Sequence, residues 1–247
     1  MLLYTEKNTT RLQYIADFTG SLLLQDKIQV TTDVNYFKKF AGAKINYSSN
    51  KIDNHEFRIN PVPLLFETEI KPQIIDCFET GGIKAFYKTA GDFSFDIFAA
   101  SFYLLSRYEE YLPHQKDMYG RYAYENSIAF KNNFLHLPLI NVWLENLKKE
   151  LHLKFPGLQF IKNEFQFIPT YDIDIAWSYS NKGFFRNAGG FLKDLFAGRW
   201  SKLTKRTNVL SGKQKDPFDA YNWMDALHEK HNLKPFYFFP VAEKTSK

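Results

Sequence analysis

Cysteine is almost missing from this chain: of 247 residues only Cys77 carries a thiol, so no internal disulfide can form. That scarcity suits a reducing compartment, and the cytoplasm is the expected location. The surroundings of the thiol, Ile74-Ile75-Asp76-Cys77-Phe78, read as a packed turn of helix rather than a nucleophile's pocket. No apolar run approaches the length needed to cross a bilayer. The N-terminus, Met1-Leu2-Leu3-Tyr4-Thr5-Glu6, lacks the basic start and long apolar stretch of a signal peptide. Internal repeats and low-complexity linkers are absent as well.

What remains is a globular composition, 45% hydrophobic and 24% charged, large enough for one big domain or two modest ones. Aromatic residues reach 18%, with 25 Phe and 15 Tyr, and serve either as core packing or as platforms that stack on sugars. The net charge of +5 is uneven: nine Lys or Arg lie between Lys182 and Lys215 against one acid, Asp194. Such a stretch can make weak contact with an anionic surface, whereas nucleic acid is not expected as a partner. Phe184, Phe185, Phe191, Leu192, Leu195, Phe196 and Trp200 interleave with those charges and predict an amphipathic helix after Gly189-Gly190. That helix can lie on a membrane interface, or it can pack its apolar stripe on its own domain and turn its charges to water.

Along the chain the signals are mixed α/β. Ile52 to Ile59 and Ile83 to Tyr87 alternate as strands, the second after the turn Gly81-Gly82. Ser94 to Leu112 predicts a buried helix stopped by Pro113, and Leu139 to Leu151 an amphipathic one using Val142, Trp143 and Leu147. Asp216 and Pro217 predict the N-cap and first residue of a third helix, with Trp223, Ala226, Leu227 and Lys230 on one face. Phe236 to Phe239 then reads as a strand buried on both faces. From about residue 164 the order is strand, long connection, helix, strand, the grammar of a parallel sheet or barrel.

The richest motif is Pro169-Thr170-Tyr171-Asp172-Ile173-Asp174, which follows the alternating run Phe165-Gln166-Phe167-Ile168. Strand side chains alternate with period two, so Asp172 and Asp174 are expected on one side. Two acids that close repel unless a cation, a shared proton or strong donors lie between them. The alternative is that Asp-x-Asp merely caps a turn.

This motif, the helix ending Leu227-His228-Glu229-Lys230-His231-Asn232-Leu233-Lys234, and the strand Pro235-Phe236-Tyr237-Phe238-Phe239 resemble the opening of the polysaccharide deacetylase (NodB-homology) domain. Upstream, Phe95 to Tyr111 resembles the N-terminal domain that precedes this catalytic domain in one branch of the family. The resemblance implies an α/β fold: a mixed α/β domain over residues 1–160, then over 161–247 the first β-α-β part of a deformed (β/α) barrel. It implies removal of N-acetyl groups from a polysaccharide or glycan precursor, with a divalent metal, usually zinc, polarising the amide and activating water. Asp172 would be the general base and Asp174 a metal ligand. The family's commoner form has its two acids adjacent, so the intervening Ile173 marks a variant and loosens the division of roles.

The family's further ligands form a His-x-x-x-His pair, and none of the six histidines has that spacing. His228 and His231 are three apart, but the resemblance places them on the helix outside the barrel. The chain is therefore expected to hold an incomplete site and an open strand edge that favours self-association. A glycosyltransferase Asp-x-Asp would need a Gly-rich βα turn upstream, which is not found. A phosphohydrolase using Asp172 as nucleophile would need Thr where Ala176 stands. A non-catalytic glycan-binding or scaffolding module is the other alternative.

Overall fold

Successive rather than alternate residues are buried in Leu2-Leu3-Tyr4-Thr5 and Lys44-Ile45-Asn46-Tyr47, the pattern of strands covered on both faces. The computed structural model describes residues 1–24, 26–162 and 164–240. It divides the chain into two compact units, Met1–Lys162 and Asn163–Lys247.

Unit 1 is built on a parallel sheet. Strands β1 (Leu2–Thr5), β2 (Gln29–Thr31), β3 (Lys44–Tyr47) and β4 (Phe57–Arg58) stand in the order β2-β1-β3-β4, every neighbouring pair parallel. Parallel neighbours need crossovers, and α1 (Thr10–Leu23) and α2 (Val34–Lys39) supply the first two. Thr9 starts α1 by accepting from the Leu12 N–H, and Leu12, Ile15, Ala16, Thr19 and Leu23 recur at helical spacing on its buried face. A hairpin of β5 (Phe78–Thr80) and β6 (Ile83–Ala85) follows, closed by Gly81 and Gly82, both at positive φ. Helices α3 (Ile97–Leu105), the short α4 (Ile128–Lys131) and α5 (Leu139–Lys154) complete the unit. Trp143 on α5 is buried, with its ring edge-on to Phe86 and Phe95 and its indole N–H donating to the Lys84 carbonyl at 2.8 Å.

Unit 2 carries β7 (Thr170–Asp172), α6 (Phe184–Phe196), α7 (Trp200–Leu210), α8 (Tyr221–Lys230) and β8 (Phe236–Phe238). Strands β7 and β8 pair in parallel, with Tyr171 opposite Tyr237 and Asp172 opposite Phe238. The mixed α/β class is therefore observed in both units. Among the described residues no helix is long and apolar enough to cross a membrane.

Several local expectations need correction. Only Phe57 and Arg58 of the stretch Ile52 to Ile59 form a strand, because the Glu56 carboxylate takes the N–H groups of Ile52 and Asp53 and folds that stretch into a loop. Cys77 lies in an irregular segment just before β5 and is half-buried against the core, so it is not on a helix. The helix expected to reach Leu112 stops at Leu105. Arg107 adopts φ 52°, and that turn buries Tyr108, which stacks on Tyr103 at 5.2 Å and exchanges hydrogen bonds with the Lys71 backbone. Helix α6 begins before Gly189 and Gly190 and runs through them. Residues 164–169 are irregular, with Phe165, Phe167 and Ile168 exposed: pairing begins where the Phe236 N–H meets the Pro169 carbonyl, and Pro235 has no N–H to extend it. Phe236, Phe238 and Phe239 are exposed rather than buried on both faces.

Asp96 supplies a pH test of unit 1. Burial pushes its carboxyl up to about 6, outweighing the donors from Ala99, Val62 and Tyr47 that pull it down. A carboxyl raised in the folded state binds its proton more tightly there than in the unfolded chain. Its stabilising contribution is thus complete below about pH 4 and lost as the pH rises through about 6. Relative to Asp96→Asn, the natural chain should lose on the order of 3 kcal/mol across that window. Chemical denaturation of both proteins at several pH values measures this, and a pH-independent difference would contradict it.

Candidate functional site

Asp172 is the last residue of β7, and Asp174 lies two residues on, in the bend that leaves the strand. Both side chains are exposed. The strand ends before Asp174, so simple strand alternation does not extend to it. The backbone is instead carried by the Ile173 N–H, which donates to the Phe238 carbonyl at 2.9 Å and prolongs the parallel ladder by one bond. The acids thus sit at the carboxyl end of a parallel strand, the end at which α/β folds place their sites.

The bend beyond them is held by a residue that sequence reasoning assigned elsewhere. Asp216 does not cap α8, which starts at Tyr221 with Ala220 before it and no side-chain cap. Its carboxylate reaches back and accepts from the backbone N–H groups of Ser178, Tyr179 and Ser180 at 2.7 to 2.9 Å, and from Phe218 at 3.0 Å. Burial alone would raise its pKa, but these donors outweigh burial and hold the group well below the usual carboxylate range. Tyr221 adds a bond from its hydroxyl to the Ala176 carbonyl at 2.8 Å, and its ring packs on Trp177. Residues 176–180 are therefore pinned from across the unit, and Asp174 is caught between that anchor and the ladder.

Beneath the strand, Tyr171 stacks on Tyr237 at 5.3 Å, and its hydroxyl meets Nε2 of His228 at 2.9 Å. His228 is buried, with Nδ1 lacking a protein partner. It stays on the helix that leads into β8, as the resemblance implies, and turns its ring toward β7. His231 is exposed at the end of α8. The face expected from Trp223 and Ala226 is likewise outward, and Met224, Leu227 and His228 turn inward instead. Asp216 and Tyr171 stood in plain view in the sequence. Nothing local marked the first as a long-range acceptor, while strand alternation turns Tyr171 to the face opposite Asp172.

A divalent ion needs at least a third ligand beside Asp172 and Asp174. Among the described residues no group of three or more His, Cys, Asp or Glu side chains is placed to hold one. The residues present therefore do not complete the zinc set that the resemblance implies.

The strand order reverses between β1 and β3, where open α/β sheets bind ligands. Here a turn of 3₁₀ helix, Pro63–Phe66, occupies that end: the Thr9 hydroxyl donates to the Leu65 carbonyl at 2.6 Å, Arg11 donates to the Leu64 carbonyl at 2.8 Å, and Phe66 packs on Tyr47. A separate cleft of about 740 Å³ is lined by Arg107, Glu110, Asp117, Tyr119, Arg121 and Tyr124. Its guanidinium groups are already paired, Arg107 with Glu110 and Arg121 with Asp117.

Residues 1–156 match the model of a family of unknown function, DUF7033. No curated protein and no solved structure matches the chain.

The anchor at Asp216 is testable. Its depressed pKa means a contribution present above about pH 4 and lost as the pH falls below that value. Hydrogen exchange of the full chain should show protection of the Ser178, Tyr179 and Ser180 amides falling at least about tenfold in Asp216→Ala, equivalent to roughly 1.4 kcal/mol. Unchanged protection of those amides would contradict the role.

Proposed function

The chain belongs to DUF7033, and we propose that its second unit is the opening of a polysaccharide-deacetylase-like barrel, acting in the intact protein to remove N-acetyl groups from a polysaccharide or glycan precursor. One observation carries this reading: Asp172 and Asp174 lie at the carboxyl end of a strand paired in parallel with the next, with α8 leading directly into that second strand. That is where an α/β barrel keeps its reactive groups. Asp172 is assigned as general base and Asp174 as metal ligand. A divalent metal, when bound, would supply Lewis acidity toward an amide carbonyl. The described residues do not complete its ligand set, so no step of the reaction is assigned through the ion. The single cysteine supports a cytoplasmic setting.

The roles predict different losses. Acetate release from N-acetylated oligosaccharides by the intact protein is the readout. Asp172→Asn should reduce turnover by about two to four orders of magnitude while metal content is unchanged. Asp174→Ala should lose both metal and activity. Turnover retained in both variants would overturn the assignment, and an intact protein without metal or activity would point instead to a non-catalytic glycan-binding module.

A further inference from the structure

Helix α6 is built inside-out. Asn187, Gly190 and Asp194 recur at helical spacing, and this polar, small-residue face is the one turned toward α7. Arg206 of α7 donates to Asp194 at 3.0 Å and to Asn187 at 3.2 Å, and its guanidinium lies over the Tyr179 ring. At Gly190 an added Cβ would come within 2.7 Å of that guanidinium, so a larger residue there would displace the Arg206 side chain from its place between the helices. Asp194 is the only buried residue of α6.

The apolar stripe is left facing water. Phe184, Phe185 and Phe196 are 80, 90 and 86% exposed, Trp200 at the start of α7 is 68% exposed, Leu192 and Leu195 lie between them, and of the stripe only Phe191 is half-buried. An ordinary amphipathic helix buries this face and exposes the other. The reading in which the stripe packs on its own domain does not describe this hairpin.

Charge decides what covers the stripe. Asp194, the one acid of the segment, is neutralised within the hairpin by Arg206, with Arg199 also beside it. Lys182, Arg186, Lys193, Lys202, Lys205, Lys213 and Lys215 form no ion pair among the described residues. A protein-binding surface of this kind is normally depleted in lysine at its centre and mixed in sign at its rim. Phe and Trp on one face with lysines and arginines of a single sign around it fit the interface of an anionic bilayer, where rings sit at headgroup depth and long basic side chains reach the phosphates.

We propose that the α6–α7 hairpin is a peripheral membrane anchor that lays its Phe184, Phe185, Phe196 and Trp200 face into an anionic phospholipid surface. The inference rests on unit 2 alone and does not depend on the deacetylase reading.

Flotation of the full chain with vesicles of phosphatidylcholine plus phosphatidylglycerol, beside vesicles of phosphatidylcholine only, tests it. The protein should float with the anionic vesicles and not with the neutral ones, and salt near 1 M, where the Debye length is about 3 Å, should release it. Phe185→Ser combined with Phe196→Ser, at positions too exposed to matter for folding, should weaken binding at least about tenfold. A blue shift of tryptophan emission on binding should disappear in Trp200→Phe. Failure to float with either vesicle, equal binding to both, or binding that survives the double substitution would overturn the proposal. So would light scattering of a lipid-free dimer that the double substitution dissociates, since a second copy would then be the occupant.

Discussion

Three donors from three separate segments converge on the carboxylate of Asp96, which has no contact with solvent. The Tyr47 hydroxyl comes from the end of β3, the Val62 N–H from the approach to the 3₁₀ turn, and the Ala99 N–H from the first turn of α3. A buried charge without partners costs several kcal/mol, so this group is tolerated only while all three segments are in place. The arrangement works as a lock: it fixes α3 against the sheet and seats the turn Pro63–Phe66 over the carboxyl ends of β1 and β3. The crevice where such a sheet would bind a ligand is thereby filled by the protein itself. The chemistry of unit 1 is structural at that end.

Unit 2 uses the same device to a different end. Asp216 also collects backbone N–H groups, but those groups belong to the segment just after Asp172 and Asp174. The exposed acids stand on a ladder on one side and an anchor on the other, with the Tyr171–Tyr237 stack and the buried His228 beneath. A pair of carboxylates held at a strand end by buried supports, rather than left on a free loop, is what a site needs before it meets its other components.

Much of this was legible where the physics is local. The period of Leu139 to Leu151 located α5, and Gly81-Gly82 located the β5–β6 turn, because spacing and positive φ act within a few residues. Asp172 ends a strand as the alternation predicts, whereas Asp174 lies beyond the strand, in the bend. What could not be read depended on distant partners. Asp216 followed by Pro217 carries every local mark of a helix start, yet beside the local Phe218 N–H its other three donors lie 36 to 38 residues upstream. The stripe of α6 reads as a core face by period alone, and only the contacts of Arg206 show that the opposite face turns inward. Arg107 gives no local sign of its positive φ, which follows from the burial of Tyr108.

The central proposal is that Asp174 is a metal ligand, and anomalous scattering at the zinc edge from crystals of the protein grown with zinc tests it most directly. The account predicts a peak about 2 Å from the Asp174 carboxylate, the usual zinc–oxygen distance, with Asp172 beside it. A fully occupied zinc whose ligands do not include Asp174 would contradict it.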